Sequence, residues 1–197
     1  MRPIIKNGVR ILRPKEYDAL LDTIFRKDLK YRYREIINAL LYTGMRYIEL
    51  QRFQKHPEWF DKNTRSIYLP PEASRKKKRT MRERYVYLST QGITHIENFI
   101  LYVDKMPDRI ILNNMLTFWG KKAGLGKISV KTFRKTWESW LVVSYPNAMP
   151  LIAMSQGHTT ITAMNHYLNL PFTDEDVEEI KVRTAGWSGF RGGENVL

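Results

Sequence analysis

Several side chains in the C-terminal half of this sequence have the types and spacing needed to act on a phosphodiester without a metal ion. Lys131 and Arg134 lie one helical turn apart on a segment with helical periodicity, so their cationic groups share a face. The dipeptide Gly157-His158 is typical of a helix end, and Tyr167 follows on the next expected helix. Cations bind phosphate oxygens, and a tyrosine hydroxyl can attack phosphorus. Taken singly, such residues are more often structural: a buried tyrosine and a loop histidine bonded to backbone.

A second candidate group lies far upstream, in the octapeptide Thr43-Gly44-Met45-Arg46-Tyr47-Ile48-Glu49-Leu50. Gly44 is expected to end or bend one helix, which places Arg46 where that helix meets the next and lets its guanidinium emerge beside a core. Glu49 follows three residues later. We expect it to brace Arg46 or a backbone N–H rather than take part in chemistry. In isolation, Arg46 would be an ordinary surface arginine between two helices.

Together the two groups resemble the signature of the tyrosine recombinases, the phage-integrase family. The octapeptide matches the family motif T-G-x-R-x-x-E-L in full. The family's C-terminal motif is matched by Lys131-x-x-Arg134, by Gly157-His158 and by Tyr167, nine residues after His158. Lys131 stands where the family has its first histidine, and in this the sequence is similar to the integrases of archaeal viruses and plasmids. Two separate motifs in family order make the resemblance specific, and it spans about residues 14–170.

The resemblance implies a role for each matched residue. Arg46, Arg134 and His158 would bind the non-bridging oxygens of the scissile phosphate, and Tyr167 would be the nucleophile that forms a 3′-phosphotyrosyl link. The family assigns the general base to the histidine that Lys131 replaces here. A lysine can act as a base only if its pKa is lowered, for example by nearby guanidinium groups. Whether Lys131 is the base therefore stays open.

A strongly basic hairpin separates the two motifs. Ser66–Leu69 and Arg84–Leu88 have the composition of two antiparallel strands. We expect the intervening basic run, up to Arg84, to contact DNA phosphates; its members are Arg75, Lys76, Lys77, Lys78, Arg79 and Arg82. The resemblance implies that one lysine of this hairpin protonates the 5′-oxygen leaving group. Lys78 fits that position best, and Lys76 is the alternative.

Composition favours a nucleic-acid partner. The chain has 197 residues, a net charge of +13 and a pI near 9.9, which suits double-stranded DNA before a membrane. The alternative is a soluble protein that is merely basic. The sequence contains no cysteine, which excludes disulfides and thiolate metal sites. Its acidic residues form no cluster of possible metal ligands, so no metal or cofactor is expected. No apolar run approaches the ~18 residues of a membrane span. We expect a cytoplasmic protein acting on DNA in its host cell.

The element pattern predicts a mainly helical catalytic domain with a small antiparallel sheet, an α+β arrangement that the resemblance identifies with the tyrosine recombinase catalytic-domain fold. Three segments are expected: a basic extended arm over residues 1–13, the catalytic domain over 14–170, and a tail over 171–197 with a short acidic helix. Helices are expected to begin at Pro14 and after Ser89 and Ser129. Asp108–Asn113 reads as a connector, and Ile100 is expected to face inward.

The expected function is site-specific DNA recombination, by integration or excision. By resemblance, a homo-oligomer, a tetramer on DNA, would carry it out. Family members usually have a core-binding domain before the catalytic one, so a chain with only a short arm is expected to be a fragment or to rely on another subunit. The acidic helix docks either on its own subunit or on a neighbour; in the second case, truncation after Pro171 leaves a folded domain. Two other functions stay open: a type IB topoisomerase, and a non-catalytic DNA-binding protein with a relic site.

Overall fold

The computed structural model describes residues 2–24, 32–73, 83–157 and 170–187. Within these ranges the chain is a mainly helical domain with two small antiparallel sheets, which confirms the predicted fold class. The described helices are α1 (Pro14–Asp22), α2 (Tyr33–Thr43), α3 (Tyr47–Phe53), α4 (Thr90–Tyr102), α5 (Arg109–Lys122), α6 (Val130–Ser144), α7 (Met149–Gln156) and α8 (Asp174–Thr184). The strands are β1 (Ile4–Lys6), β2 (Val9–Ile11), β3 (Phe60–Asp61), β4 (Ser66–Leu69) and β5 (Arg84–Tyr87). No described helix is long and apolar enough to cross a membrane.

Helices α2 and α6 form the centre of the core. Helix α2 packs against α4 and α6, and the rings of Tyr42 and Trp137 lie 5.4 Å apart between them. The apolar stripes that predict these helices are fully buried: Ile36, Ile37, Leu40 and Leu41 on α2, and Phe133, Trp137, Trp140 and Leu141 on α6. Side chains of this size dominate the hydrophobic stabilisation of a domain. Helix α6 is therefore held from its core side, and Arg134 sits on a different face.

The helices near the candidate residues begin and end where the sequence predicts. Gly44 ends α2 and Gly157 ends α7, each with a positive φ (60° and 67°) in the left-handed region that favours glycine. Pro14 occupies the first turn of α1, and the Ser89 hydroxyl accepts a hydrogen bond from the Gly92 N–H at the start of α4. Because both glycine ends were predicted from the sequence, the approximate positions of the flanking functional residues were predicted as well.

The central sheet has the order β3-β4-β5 and is antiparallel throughout. Ser66 pairs with Tyr87 and Leu69 with Arg84, which confirms the predicted pairing of these two segments. Strand β3 is an addition to the prediction, since its two residues are too few to produce a period-two pattern. The basic residues between β4 and β5 that the sequence assigns to DNA lie outside the described residues.

The N-terminal segment is a β-hairpin rather than a single extended arm. Strands β1 and β2 pair in antiparallel register through a turn at Asn7 and Gly8, which have φ angles of 51° and 69°. An Asn-Gly turn is a strong hairpin signal, and the sequence interpretation overlooked it. Beyond the hairpin, Leu12 is fully buried; its N–H donates to the Thr136 hydroxyl at 3.0 Å, and its carbonyl accepts from the Trp140 indole at 3.0 Å. The segment is thereby fixed to α6.

Two further expectations are wrong in detail. The segment Asp108–Asn113 is not a connector, because Asp108 caps α5 by accepting a hydrogen bond from the Ile110 N–H at 2.7 Å. Ile100 faces outward, with 38% of its surface exposed, while Ile96 and Phe99 of the same helix are buried. In both cases an apolar residue in the sequence lies on the surface, which the composition of a short segment does not reveal.

The acidic helix α8 packs on its own domain, against α1, α4 and α6. Asp176 pairs with the buried Arg13 (Nε–Oδ2 2.9 Å), and Arg13 also donates to the Pro171 carbonyl at 3.0 Å. Ile180 is fully buried, and the Trp187 indole donates to the Tyr87 carbonyl at 3.1 Å. Of the two docking alternatives, the structure shows the first, in which α8 packs on its own subunit. The expectation that truncation after Pro171 leaves a folded domain conflicts with these contacts, because truncation would remove the Asp176 partner of Arg13 and expose the apolar surface that Ile180 and Trp187 cover.

Candidate active site

Arg46 is held at the start of α3 by an acid three residues later. Its backbone N–H donates to Glu49 Oε2 at 2.7 Å, and its Nη1 donates to Oε1 at 2.9 Å. The Glu49 side chain is completely buried, whereas 37% of the Arg46 side chain is exposed. This confirms that Glu49 braces both the backbone and the side chain of Arg46. The acid fixes the guanidinium at a helix junction while part of the group still faces solvent.

A second arginine reaches the same carboxylate from the sheet. Arg84, the first residue of β5, donates from Nη2 to Glu49 Oε2 at 2.8 Å and from Nε to the Ser155 carbonyl at 3.0 Å. Only 9% of its side chain is exposed. The basic run expected to contact DNA phosphates extends up to Arg84, but Nε and Nη2 of Arg84 bind groups inside the protein instead. The sequence does not reveal the pairing, since Glu49 and Arg84 lie on different elements.

The carboxylate of Glu49 is kept ionised despite its burial. Burial alone would raise the pKa of Glu49, but Arg84, by charge and hydrogen bond, and then Arg46 and Arg134 outweigh it and lower this pKa to about 2. The Glu49 carboxylate is therefore a fixed negative charge at neutral pH. Its effect is to hold guanidinium groups close together that would otherwise repel one another.

Arg134 bridges the C-terminal ends of two helices. Its Nη1 donates to the Gly44 carbonyl at 2.7 Å, where α2 ends, and its Nη2 donates to the Gln156 carbonyl at the end of α7. The carbonyl end of a helix carries partial negative charge, so both contacts favour a cation. Burial, followed by the charge of Arg46, lowers the pKa of Arg134 to about 10. Arg134 is thus still fully charged at neutral pH.

The two helix ends that hold Arg134 also contact each other. The buried Gln156 donates from Nε2 to the Thr43 carbonyl at 3.3 Å. Gly44 lies so close to this amide that a β-carbon there would come within 2.5 Å of Gln156 Oε1. Together with its positive φ, this close approach explains why glycine is needed at position 44. The carbonyl groups that orient Arg134 are consequently fixed relative to one another.

The charges at this site suit a phosphate anion. Three guanidinium groups lie around the Glu49 carboxylate, and Arg134 also lies near a second acid, the buried Glu138, so that positive charge is in excess. Lys131 adds a further exposed cation on α6, one turn before Arg134. Among the described residues no group of three or more His, Asp and Glu side chains could hold a metal ion. The arrangement can bind a phosphate group through guanidinium donors.

The comparison with protein families identifies the chain. Residues 10–173 match the model described as the phage integrase family, which covers most of the sequence. The chain belongs to the phage integrase family. No curated protein matches this integrase-family chain by sequence.

Solved structures share the fold of this integrase-family domain. The XerA recombinase superposes with a TM-score of 0.63 at 20% identity, over 87% of this chain and 64% of that chain. The Tn1549 transposon integrase, in complex with circular intermediate DNA, gives 0.63 at 16% identity over 94% and 68%. The XerH recombinase bound to difH substrate gives 0.61 at 15% identity over 90% and 54%. The chain therefore spans between about half and two thirds of these relatives' lengths.

The structure brings together only part of the predicted set. Arg46 and Arg134 meet around Glu49, and Lys131 lies on the helix that carries Arg134. Lys76, Lys78, His158 and Tyr167 lie outside the described residues, as do the proposed phosphate contacts Arg75, Lys77, Arg79 and Arg82. Gly157, immediately before His158, is described, and it lies against the Arg84 side chain. Arg84 is the residue at this site that the sequence interpretation missed.

Proposed function

We propose that this chain is the catalytic part of an enzyme that cleaves and rejoins DNA at specific sites, through a 3′-phosphotyrosyl intermediate. The observation that carries the proposal is the convergence of Arg46 and Arg134, from motifs 88 residues apart in the sequence, around one buried carboxylate. Membership of the phage integrase family supports it. The excess of positive charge suits a phosphodiester that gains a second negative charge as a nucleophile attacks phosphorus.

Each proposed role follows from the chemistry of its group. Arg46, Arg134 and His158 donate to the non-bridging oxygens, and each arginine is worth a few kcal/mol of transition-state stabilisation (~3 kcal/mol). The Tyr167 oxygen attacks phosphorus, the bond to the 5′-oxygen breaks, and the covalent link keeps the bond energy for religation. Lys131 is the candidate for the base that takes the tyrosine proton, because it occupies the position of the family's histidine; it lies exposed one turn before Arg134.

The proton for the leaving 5′-oxygen and the contacts to flanking DNA phosphates are proposed to come from the basic hairpin. Lys78, or alternatively Lys76, protonates the departing 5′-oxygen. The remaining basic side chains bind flanking phosphates without reading sequence; these are Arg75, Lys76, Lys77, Arg79 and Arg82. The proposed partner is double-stranded DNA that carries an attachment site, and strand exchange would join two such duplexes. A homo-oligomer, a tetramer on DNA, would bring the duplexes together.

The biological setting is proposed from the same residues. Lysine at position 131 favours an element of the kind found in archaeal viruses and plasmids, which integrate into a chromosome or are excised from it. The enzyme would then act in the cytoplasm of its host cell, on chromosomal or mobile-element DNA. The high net positive charge fits a protein that searches such DNA by non-specific contacts.

The decisive experiment traps the covalent intermediate. A duplex nicked near the cleavage position releases a short fragment after cleavage, so the protein–DNA adduct accumulates and is seen on a denaturing gel. We expect wild type to form the adduct and Tyr167→Phe to bind DNA normally without forming it. Tyr102→Phe changes an exposed tyrosine on α4 and serves as the matched control. An adduct of normal yield from Tyr167→Phe would overturn the assignment of the nucleophile.

A second assay separates recombination from topoisomerase activity. Wild type is incubated with two DNA molecules that each carry the site, and with supercoiled DNA that lacks it. We expect joined products from the two-site reaction. Relaxation of any supercoiled DNA without strand exchange would favour a type IB topoisomerase instead, and DNA binding with neither outcome would favour a non-catalytic protein.

A further inference from the structure

Arg84 is a buried arginine that the proposed cleavage chemistry does not use. It donates hydrogen bonds to the Glu49 carboxylate and to the Ser155 carbonyl in α7. A β-carbon on Gly157 would come within 3.1 Å of Arg84 Cδ and Nε, so the side chain lies directly over that glycine. Arg84 therefore joins β5, α3 and the end of α7. Burying a charged group in this way is costly unless its bonds serve the structure or the site.

The two oxygens of the Glu49 carboxylate accept hydrogen bonds from two different arginines. Oε1 accepts from the Arg46 side chain, while Oε2 accepts from the Arg46 backbone and from Arg84. The Arg84 bond thus fixes the plane of the carboxylate, and the plane of the carboxylate fixes where the Arg46 guanidinium points. Loss of the Arg84 bond would leave Oε2 with the bond from the Arg46 backbone N–H, and the plane of the carboxylate would be less firmly fixed.

Charge leads to the same conclusion. With Arg84 present, its positive charge balances the negative charge of Glu49, and the charges of Arg46 and Arg134 are left to act on an anion. Without Arg84, Glu49 would draw on Arg46 instead. The Arg46 charge would then be less available to a phosphate, and the attraction of the site for a doubly charged transition state would fall.

We propose that Arg84 is a positioning residue for DNA cleavage: it holds and neutralises Glu49, so that Arg46 keeps its orientation and charge for the scissile phosphate. This inference rests on the proposed function. Arg84 does not contact DNA, and its effect on cleavage passes through Glu49.

The test compares Arg84→Gln with wild type on two substrates. One is an ordinary nicked duplex; the other has a methylphosphonate at the scissile position, in which a methyl group replaces one charged non-bridging oxygen. A neutral phosphorus centre needs less positive charge. We expect Arg84→Gln to lower the single-turnover cleavage rate at least about 10-fold on the ordinary duplex and much less on the methylphosphonate, with DNA affinity within about 2-fold of wild type.

Arg10→Gln is the matched control, because Arg10 also forms a partly buried ion pair, with Glu16 at 2.5 Å. It is expected to cleave both substrates at the wild-type rate. Arg84→Lys keeps the charge but not the forked donor geometry, and is expected to lie between wild type and Arg84→Gln. If Arg84→Gln does not fold, as judged by circular dichroism, Arg84→Lys is used in its place with the same substrate comparison.

A double substitution tests the route through Glu49. In the background of Glu49→Gln, adding Arg84→Gln should lower the rate by a clearly smaller factor than the same change does in wild type, since the partner through which Arg84 acts is already gone and only the charge of Arg84 itself is lost. Three results would overturn the inference: wild-type cleavage by Arg84→Gln, equal losses on both substrates, or losses that multiply in the double variant. A wild type that forms no adduct on either substrate would instead refute the proposed function.

Discussion

Replacing Glu49 by glutamine should destabilise the domain in a way that depends on pH. Burial would raise the pKa of this carboxyl group, but Arg84, Arg46 and Arg134 lower it from 4.5 to about 2. A carboxyl group whose pKa is lower in the folded state stabilises the fold above its unfolded pKa. That stabilisation is lost as the pH falls through the folded pKa. The relevant pH window therefore runs from about 4.5 down to about 2.

The magnitude follows from this pKa difference. At pH 7 the ionised carboxylate contributes about 3 kcal/mol to the free energy of unfolding, and at pH 3 about 1 kcal/mol remains. Glu49→Gln removes this contribution at every pH, because the amide cannot supply the counter-charge that the guanidinium groups have in the wild type. The stability gap between wild type and variant should thus narrow by about 2 kcal/mol between pH 7 and pH 3.

Urea unfolding followed by tryptophan fluorescence measures this gap, because Trp137 and Trp140 are fully buried in the core. Both proteins are unfolded at pH 7, 4 and 3 at one salt concentration. Glu178→Gln is the control: Glu178 pairs with Lys181 on the surface of α8, and exposed pairs contribute little. A gap that is the same at pH 3 and pH 7 would show that the guanidinium groups do not stabilise the ionised carboxylate, and the account of the site would be wrong.

Three other predictions concern the tail, the hairpin and the absence of metal. Truncation after Pro171 should lower the melting temperature by about 10 °C or more, whereas truncation after Trp187 should not; an unchanged melting temperature after the first cut would contradict the packing of α8. Changing Lys76, Lys77 and Lys78 singly to alanine should give one variant that binds but cannot cleave. The other two should bind more weakly, and the slope of log affinity against log salt should fall by about one for each phosphate that is no longer bound. Normal cleavage by all three would place the general acid elsewhere. DNA cleavage should persist in EDTA, and an inhibition that Mg²⁺ reverses would indicate a nuclease.

Local rules predicted much of the fold and the first half of the site. Gly44 and Gly157 end their helices because each has a conformation that favours glycine, and this is visible in the sequence. The pairing of Glu49 with Arg46 was predictable because the residues are three apart at a helix start. Strand β5 was predictable from its alternating pattern, since one face of it is buried.

What could not be predicted depends on contacts between distant elements. Arg84 has the sequence environment of a DNA-binding arginine, and only its position beside α3 and α7 turns it into a partner of Glu49. The exposure of Ile100 depends on which neighbours cover α4. The same holds for the docking of α8, whose acidic residues find Arg13 more than 160 positions away. No local pattern encodes such pairs, because they exist only after the elements have packed.

The hydrogen bonds that position the arginines around Glu49 join residues far apart in the chain, and this has a consequence for how the site forms while the protein is being synthesised. Arg134 reaches the Gly44 carbonyl across 90 positions, and Gln156 reaches Thr43 across 113. A nascent chain that ends before α6 already contains Arg46 and the basic run that ends at Arg84, so it carries basic groups that attract polyanions. It lacks the helix that supplies Arg134 and the helix end that orients it. As the ribosome extends the chain, affinity for nucleic acid thus precedes the arrangement of arginines that the proposed cleavage needs, and this arrangement forms only once α7 has joined α2.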